Sequence, residues 1–253
     1  MKKAQSFFGE LLGTFILVFV GCSAVAISIL GIGLPTLLQI ALVWGIGVAI
    51  AIYISRQFCP AHLNPAVSLA LFFDEKINFK TLIGFITAQF FGAVLAGMSV
   101  YVIFNLQIIE LEAANNIVRG SENSSLSAKM FGEFFNPTNV SHFTAILAEC
   151  IGTFILMLVI FIEGYSRRKT GPIAPIIIGV TVSVLIIFIA PYTQGGFNPA
   201  RDFGPRLVAY FGGWNEAAFP SINYSFFTVY ILGPFLGSSF AFFVFRFFKK
   251  QKN

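Results

Sequence analysis

An arginine and an aspartate stand side by side in Gly195-Gly196-Phe197-Asn198-Pro199-Ala200-Arg201-Asp202-Phe203-Gly204-Pro205, between two long apolar runs. At membrane depth an ionisable group is expensive and marks a functional site by default. Irregular backbone survives there only where it is buried in protein or lines a wet cavity. The stretch has a twin: His62-Leu63-Asn64-Pro65-Ala66 repeats its Asn-Pro-Ala 134 residues earlier. One Asn-Pro is no more than a turn signal, but two copies, each set between apolar spans, form a motif. Each Asn is placed to cap a short helix, with Pro at the first helical position, where its missing N–H costs nothing. A helix N-terminus carries about half a positive elementary charge. Two such ends facing each other make a positive, donor-rich region that binds water or a hydroxyl and repels a cation. The backbone before each Asn is extended, so the carbonyls of Pro60, Ala61, His62, Gly196 and Phe197 can line the path as acceptors. Donors at the centre and carbonyls on either side suit a file of small neutral molecules.

Other ionisable residues are read against that path. Arg201 is read as a pore constriction that donates to permeant oxygens and repels cations. The alternative is a structural arginine bonding loop carbonyls. Glu10 and Glu149 lie inside apolar spans at matching positions, and each is expected to accept N–H bonds from a re-entrant loop. A proton relay is the competing reading. His62 is read as loop-shaping, with a gate as the alternative. Cys22, Cys59 and Cys150 are isolated, suggesting neither disulfides nor a metal site; Cys59 could border a vestibule open to thiol reagents. No nucleophile–base pair or metal-ligand cluster appears in the spans. An enzyme, a cofactor and a bound metal are therefore not expected.

The elements that must position these residues are membrane spans. The 253 residues are 57% hydrophobic and only 11% charged, with mean hydropathy +0.83; soluble domains carry about 25% charged residues. Six spans are expected at about 7–30, 35–55, 79–104, 143–165, 172–191 and 224–248. Two short helices, about 65–73 and 199–211, follow the twin motifs and are too short to cross. The fold class is thus an all-α membrane protein with six transmembrane helices and two re-entrant half-helices. Glu10-x-x-Gly13-Thr14-Phe15-Ile16-Leu17 matches Glu149-x-x-Gly152-Thr153-Phe154-Ile155-Leu156, and Gln89-Phe90-Phe91-Gly92 loosely parallels Pro234-Phe235-Leu236-Gly237. Three spans per half is an odd number, so the second copy inserts upside down as an inverted repeat. Residues 1–253 are read as a single channel domain, with halves of about 1–104 and 143–253. The polar connection 105–142 joins them, with Glu110, Glu112, Glu122 and Glu133 against Arg119 and Lys129.

Basic residues near span ends set the orientation. Lys2, Lys3, Arg56, Lys76, Lys80, Arg167, Arg168, Lys169, Arg246, Lys249, Lys250 and Lys252 all fall on one side. That side is the cytoplasm, with both termini there and 105–142 outside. Asn-x-Ser sequons at Asn123, Asn139 and Asn223 then lie outside. The net charge of +5 is read as orientation, not nucleic-acid binding.

The paired Asn-Pro-Ala boxes, inverted halves and Glu-x-x-Gly-Thr-Phe openings resemble the aquaporin (major intrinsic protein) family over nearly the whole chain. The resemblance implies a right-handed six-helix bundle with two half-helices, assembled as a homotetramer with one pore per subunit. Selectivity of that type comes from pore diameter and lining donors and acceptors, with an Arg or half-helix dipoles excluding protons and cations. Trp44, Asp202 after the box arginine, Arg206 and Gly171-Pro172-Ile173-Ala174-Pro175 are similar to the glycerol-facilitator branch. Asp202 is the polyol-type marker. By the same resemblance the selectivity filter is Trp44, Ile186, Gly195 and Arg201. The chain departs from the branch at Ile186, where a small residue is usual, and at Gly195, where Phe is usual. Tyr230-Ile231 and Cys59-Pro60 also depart from it.

The expected function is a passive channel for glycerol and other small uncharged solutes, also conducting water, in a plasma or inner membrane. A mainly water-selective channel is the alternative. A coupled secondary transporter and a structural membrane-junction protein are the remoter ones.

Overall fold

The computed structural model describes residues 3–165, 171–220 and 224–251. Lys2, Arg167, Arg168, Lys169, Lys252 and the sequon at Asn223 lie outside the described residues. Among the described residues all regular structure is helical. In chain order the α-helices are α1 (Lys3–Ile29), α2 (Leu37–Ser55), α3 (Pro65–Phe73), α4 (Phe79–Ala114), α5 (Ser125–Ala128), α6 (His142–Tyr165), α7 (Ala174–Thr193), α8 (Pro199–Ala209) and α9 (Gly233–Lys250). Six helices are long and apolar enough to cross a bilayer: α1, α2, α4, α6, α7 and the run Phe226–Lys250 that ends in α9. At about 1.5 Å per residue, α3 and α8 fall well short of a 30 Å hydrocarbon layer. They are the two half-helices.

Local sequence sets both half-helices. Asn64 is extended and its side chain accepts from Ala66 N at 2.9 Å, with Pro65 opening the helix. Asn198 does the same for α8, accepting from Ala200 N at 3.1 Å and Arg201 N at 3.2 Å ahead of Pro199. These bonds satisfy N–H groups that a helix start otherwise leaves orphaned.

The long helices pack in two matching sets. α1 lies on α4 and α2, α6 lies on α9 and α7, and α2 against α7 joins the sets. Gly92 and Gly237 stand at corresponding closest approaches. A Cβ at Gly92 would collide with the Leu11 carbonyl, and one at Gly237 with the Cys150 carbonyl. α3 rests on α9 and α4, and α8 on α4, so each half-helix is held partly by the other set.

Polarity is distributed inside out relative to a water-soluble protein. Ile46 on α2, Phe91 and Val102 on α4 and Phe243 on α9 are exposed. Glu10, Gln89, Glu149, Asp202 and Arg206 are wholly buried. This is a multi-pass membrane protein, its apolar flanks facing lipid and its polar groups facing one another.

Two elements differ from the sequence expectation. The third span does not end at 104: α4 runs on to Ala114, because Asn105-Leu106-Gln107-Ile108-Ile109-Glu110-Leu111-Glu112-Ala113-Ala114 contains no Gly or Pro and is rich in helix formers. Hydropathy had marked where the apolar run stops, not where the helix stops. The sixth span opens as a wide π-type turn over Phe226–Leu232. Pro234 has no N–H for the carbonyl one turn back, which relaxes the helix there.

Candidate functional site

The two half-helices meet N-terminus to N-terminus. Asn64 Nδ2 donates to the Phe197 carbonyl at 2.9 Å, and Asn198 Nδ2 donates to the Leu63 carbonyl at 2.8 Å. Each amide thus spends one N–H on the opposite loop and retains a second. Each Asn oxygen is committed to its own helix cap. At this point the side chains therefore offer donors, in the positive field of two helix ends.

Two buried carboxylates hold the loops that deliver these residues. Glu10 Oε1 accepts from His62 N at 2.8 Å, and Oε2 accepts from Leu63 N and Gln89 Nε2, both at 2.8 Å. Glu149 Oε1 accepts from Gly196 N at 2.9 Å and Thr193 Oγ1 at 2.7 Å, and Oε2 from Phe197 N at 2.7 Å. The loops need such clamping. Ala61 and Leu63 in one, and Gln194 and Phe197 in the other, all have positive φ, which costs a residue with a Cβ about 1–2 kcal/mol. With their N–H groups turned to the carboxylates, the loop backbones face a cavity.

That cavity has a volume of about 610 Å³ and runs past both Asn amides. The stretches Pro60-Ala61-His62-Leu63 and Gly195-Gly196-Phe197 line it, as do Trp44, Ile186 and Arg201. At the other end it reaches Glu163 and Gly171. A second cavity of about 290 Å³ lies beyond, lined by Glu133 and Gln194 among others. Trp44 and Ile186 line both cavities, so the two cavities abut at these side chains. The Arg201 guanidinium sits 4.4 Å from the centre of the Trp44 ring, within cation–π range. Gly195 has φ +83, and a Cβ there would lie 3.2 Å from the Phe197 ring and 3.6 Å from Ile186. The aromatic ring beside that position is therefore Phe197, packed behind Gly195.

Asp202 and Arg206 form a wholly buried ion pair at 2.7 Å. Together they pin a loop from the long connection. Asp202 Oδ1 accepts from Glu133 N at 2.8 Å, Arg206 Nη2 donates to the Glu133 carbonyl at 2.7 Å, and Arg206 Nη1 donates to the Ala218 carbonyl at 2.6 Å. Gln194 Oε1 accepts from Phe134 N at 2.5 Å. The pinned loop places the Glu133 carboxylate on Arg201 Nη2 as an ion pair, with both side chains almost wholly buried. Burial pushes the Glu133 carboxyl above the usual carboxylate range, with the Arg201 guanidinium pulling the other way. Sequence reasoning treated Glu133 as one of several acids in a polar loop. The available signal was its setting in Met130-Phe131-Gly132-Glu133-Phe134-Phe135, an apolar run that must bury itself and takes the acid with it.

His62 Nδ1 lies 3.1 Å from Ser68 Oγ, and its ring meets Phe85 edge-on. Cys59 is only 2% exposed and packs against Gly9 of α1, which closes it off from thiol reagents. Cys22 is also buried, and Cys150 partly so.

The family described as major intrinsic protein matches residues 1–245. The glycerol uptake facilitator protein of Pseudomonas aeruginosa is 40% identical over 233 residues, 90% of this chain and 83% of that protein. The propanediol uptake facilitator of Salmonella typhimurium is 34% identical, over 94% of this chain and 91% of that one. Among solved structures, the X-ray structure of the aquaglyceroporin from Plasmodium falciparum superposes with a TM-score of 0.82 at 27% identity, covering 96% of each chain.

Proposed function

This chain belongs to the major intrinsic protein family, and from that premise we propose that it is a passive channel for glycerol and other small uncharged solutes that also conducts water and excludes ions. One observation carries the reading: a cavity passes two facing Asn amides and shares Trp44 and Ile186, beside Arg201, with a second cavity beyond. The relatives named for glycerol and propanediol uptake support the cargo class.

In this reading Asn64-Pro65-Ala66 and Asn198-Pro199-Ala200 orient each permeant oxygen at the centre. The carbonyls of Pro60, Ala61, His62, Gly196 and Phe197 accept from its hydroxyls. Trp44, Ile186, Gly195 and Arg201 form the filter: Trp44 and Ile186 take the carbon skeleton, Arg201 donates, and Gly195 leaves width. Glu10 and Glu149 hold the loops, and Asp202 with Arg206 holds the outer mouth. In this reading none of these groups performs bond chemistry. The whole of 1–253 acts as one channel unit, four of which assemble with one pore each. Both termini lie in the cytoplasm, and the 115–141 connection faces outside.

Stopped-flow light scattering on proteoliposomes tests the reading. A glycerol gradient should re-swell vesicles well above the bare-lipid rate, and a sucrose gradient should show water flux. Ile186 on the constriction supports a second reading, a mainly water-conducting channel. Fast water flux with glycerol at the bare-lipid rate would establish that reading over the first.

A further inference from the structure

Arg201 is the one charged group that lines the inner cavity at the constriction, and its two terminal nitrogens are not equivalent. Nη2 is held by Glu133. Nη1 is buried and, among the described residues, has no hydrogen-bond partner. Arg201 lines the inner cavity and Glu133 the outer one, so the ion pair reaches from one cavity to the other. A solute oxygen passing Trp44 and Ile186 meets a guanidinium with one arm already taken. The net charge it meets is that of a pair, not of a bare guanidinium.

We propose that Glu133 is a specificity-determining residue of the channel: by occupying one arm of Arg201 and balancing its charge, it sets how strongly the constriction holds a passing water relative to a passing polyol. The proposal rests on the channel reading above.

Its consequence differs for the two permeants. Water finds few polar partners against Trp44 and Ile186, so its rate follows the strength of the arginine donors. Glycerol fills the same space with carbon, and its rate is governed more by fit to those two side chains. With Glu133 ionised, the donor is moderated and water leaves readily. Without the carboxylate, an uncompensated guanidinium with its Nη2 arm released retains water longer, and water flux falls more than glycerol flux.

The position of Glu133 is not an accident of a pliable loop. Its own N–H and carbonyl are fixed by Asp202 and Arg206, themselves wholly buried. The carboxylate is faced by Arg201, Asp202 and Arg206 from α8 and by Cys22 from α1. Glu149 from α6 and Tyr230 from the sixth span also face it. Glu149 and the Glu133 chain both come within 3.6 Å of where a Cβ on Gly196 would sit. Protonating Glu133 would have the same effect on Arg201 as removing its charge by substitution. Burial raises its titration above the ordinary carboxylate range, so acidifying the outside moves it toward the neutral form.

The test uses full-length protein in proteoliposomes, with glycerol and sucrose gradients over a range of outside pH. Wild type and Glu133→Gln are compared; Gln keeps the loop backbone and an acceptor for Nη2. Glu133→Gln should lower water flux about two- to tenfold, the factor one hydrogen bond of ordinary strength is worth, and raise the glycerol-to-water ratio. Wild-type water flux should fall in the same sense as pH drops through the Glu133 titration, and the variant should be flat. A structural role alone would not produce that lost pH step. If Glu133→Gln keeps the wild-type ratio, or wild-type flux shows no pH step, the proposal is overturned while the channel reading stands. If wild type passes neither solute above bare lipid, both fall. Should Glu133→Gln fold poorly, Glu133→Ala, which keeps the backbone bonds to Asp202 and Arg206, is read in the same way.

Discussion

The side-chain amide of Asn64 donates to the backbone carbonyl of Phe197 at 2.9 Å, across 133 positions of sequence. Asn198 returns the bond to the Leu63 carbonyl at 2.8 Å. Each box therefore completes the other: the residue that caps one half-helix also ties down the loop leading into the opposite one. Either half-helix alone would leave a buried carbonyl and a buried amide N–H without partners, at about 1–3 kcal/mol each. The centre of the path is closed from both sides or not at all.

Asn64→Ala removes a cap and a cross-chain bond and should lower stability by about 2 kcal/mol. Asn198→Ala should cost at least as much, because Asn198 accepts from two N–H groups where Asn64 accepts from one. Thermal unfolding in detergent, followed by tryptophan fluorescence, reads both. Wild-type melting of either variant would mean that the cross-chain bonds contribute nothing net.

The half-helices were legible because their signals are local: an Asn cap and a Pro at the next position fix a helix start without reference to the rest of the chain. The six spans were legible because each contains a long apolar run. The end of α4 was not, since hydropathy reports bilayer depth while helix termination depends on breakers. From Asn105 the chain offers none until Asn115-Asn116, where Asn116 turns to positive φ. Glu133 was not legible as a partner of Arg201, because the pairing depends on how a connection of some twenty-five residues folds back. The buried Asp202–Arg206 pair and Gln194 decide that. Asp202 stood out in the sequence as a marker of cargo; in the structure its direct contacts are with Arg206 and the Glu133 backbone.

Glu149→Gln tests the loop clamp. Both carboxylate oxygens accept from donors, Oε1 from Gly196 N and Thr193 Oγ1 and Oε2 from Phe197 N. An amide can replace only one oxygen; its NH2 then confronts a backbone N–H that has lost its acceptor. The loss should be about 2–3 kcal/mol, and Phe197, at φ +53, has a ready route to relax. Melting temperature and glycerol flux should fall together. Retained flux in a protein that melts lower would separate loop shape from conduction and remove Glu149 from the argument about the path.

Filter width is better tested at Ile186 than at Gly195. Gly195→Phe would place a side chain at φ +83, with its Cβ against the Phe197 ring, so lost flux would report strain as much as width. Ile186 is in ordinary helical backbone near the end of α7 and borders both cavities. Ile186→Phe should cut glycerol flux about tenfold while water loses much less, since roughly 1.4 kcal/mol of lost fit is a factor of ten. Equal losses of both in the stopped-flow assay would move the constriction elsewhere.

Arg201→Val bears on ion exclusion, and the ion pair changes what it should do. The substitution does not simply neutralise the constriction; it leaves the Glu133 carboxylate without its cation. Where it is ionised, a buried carboxylate beside the path attracts cations, and at a few ångströms its field is worth several kcal/mol even at an effective dielectric of about 20. Arg201→Val should therefore raise sodium or proton conductance at least about tenfold, read by a pH-sensitive dye and by current across planar bilayers. Adding Glu133→Gln to Arg201→Val removes the carboxylate and should bring the leak down again, although the double variant is further from the native sequence. An equal leak in single and double variants would mean that width, not charge, admits the ion. A tight seal in both would assign cation exclusion to the paired half-helix N-termini at Asn64 and Asn198, where the positive helix ends remain whatever stands at the constriction.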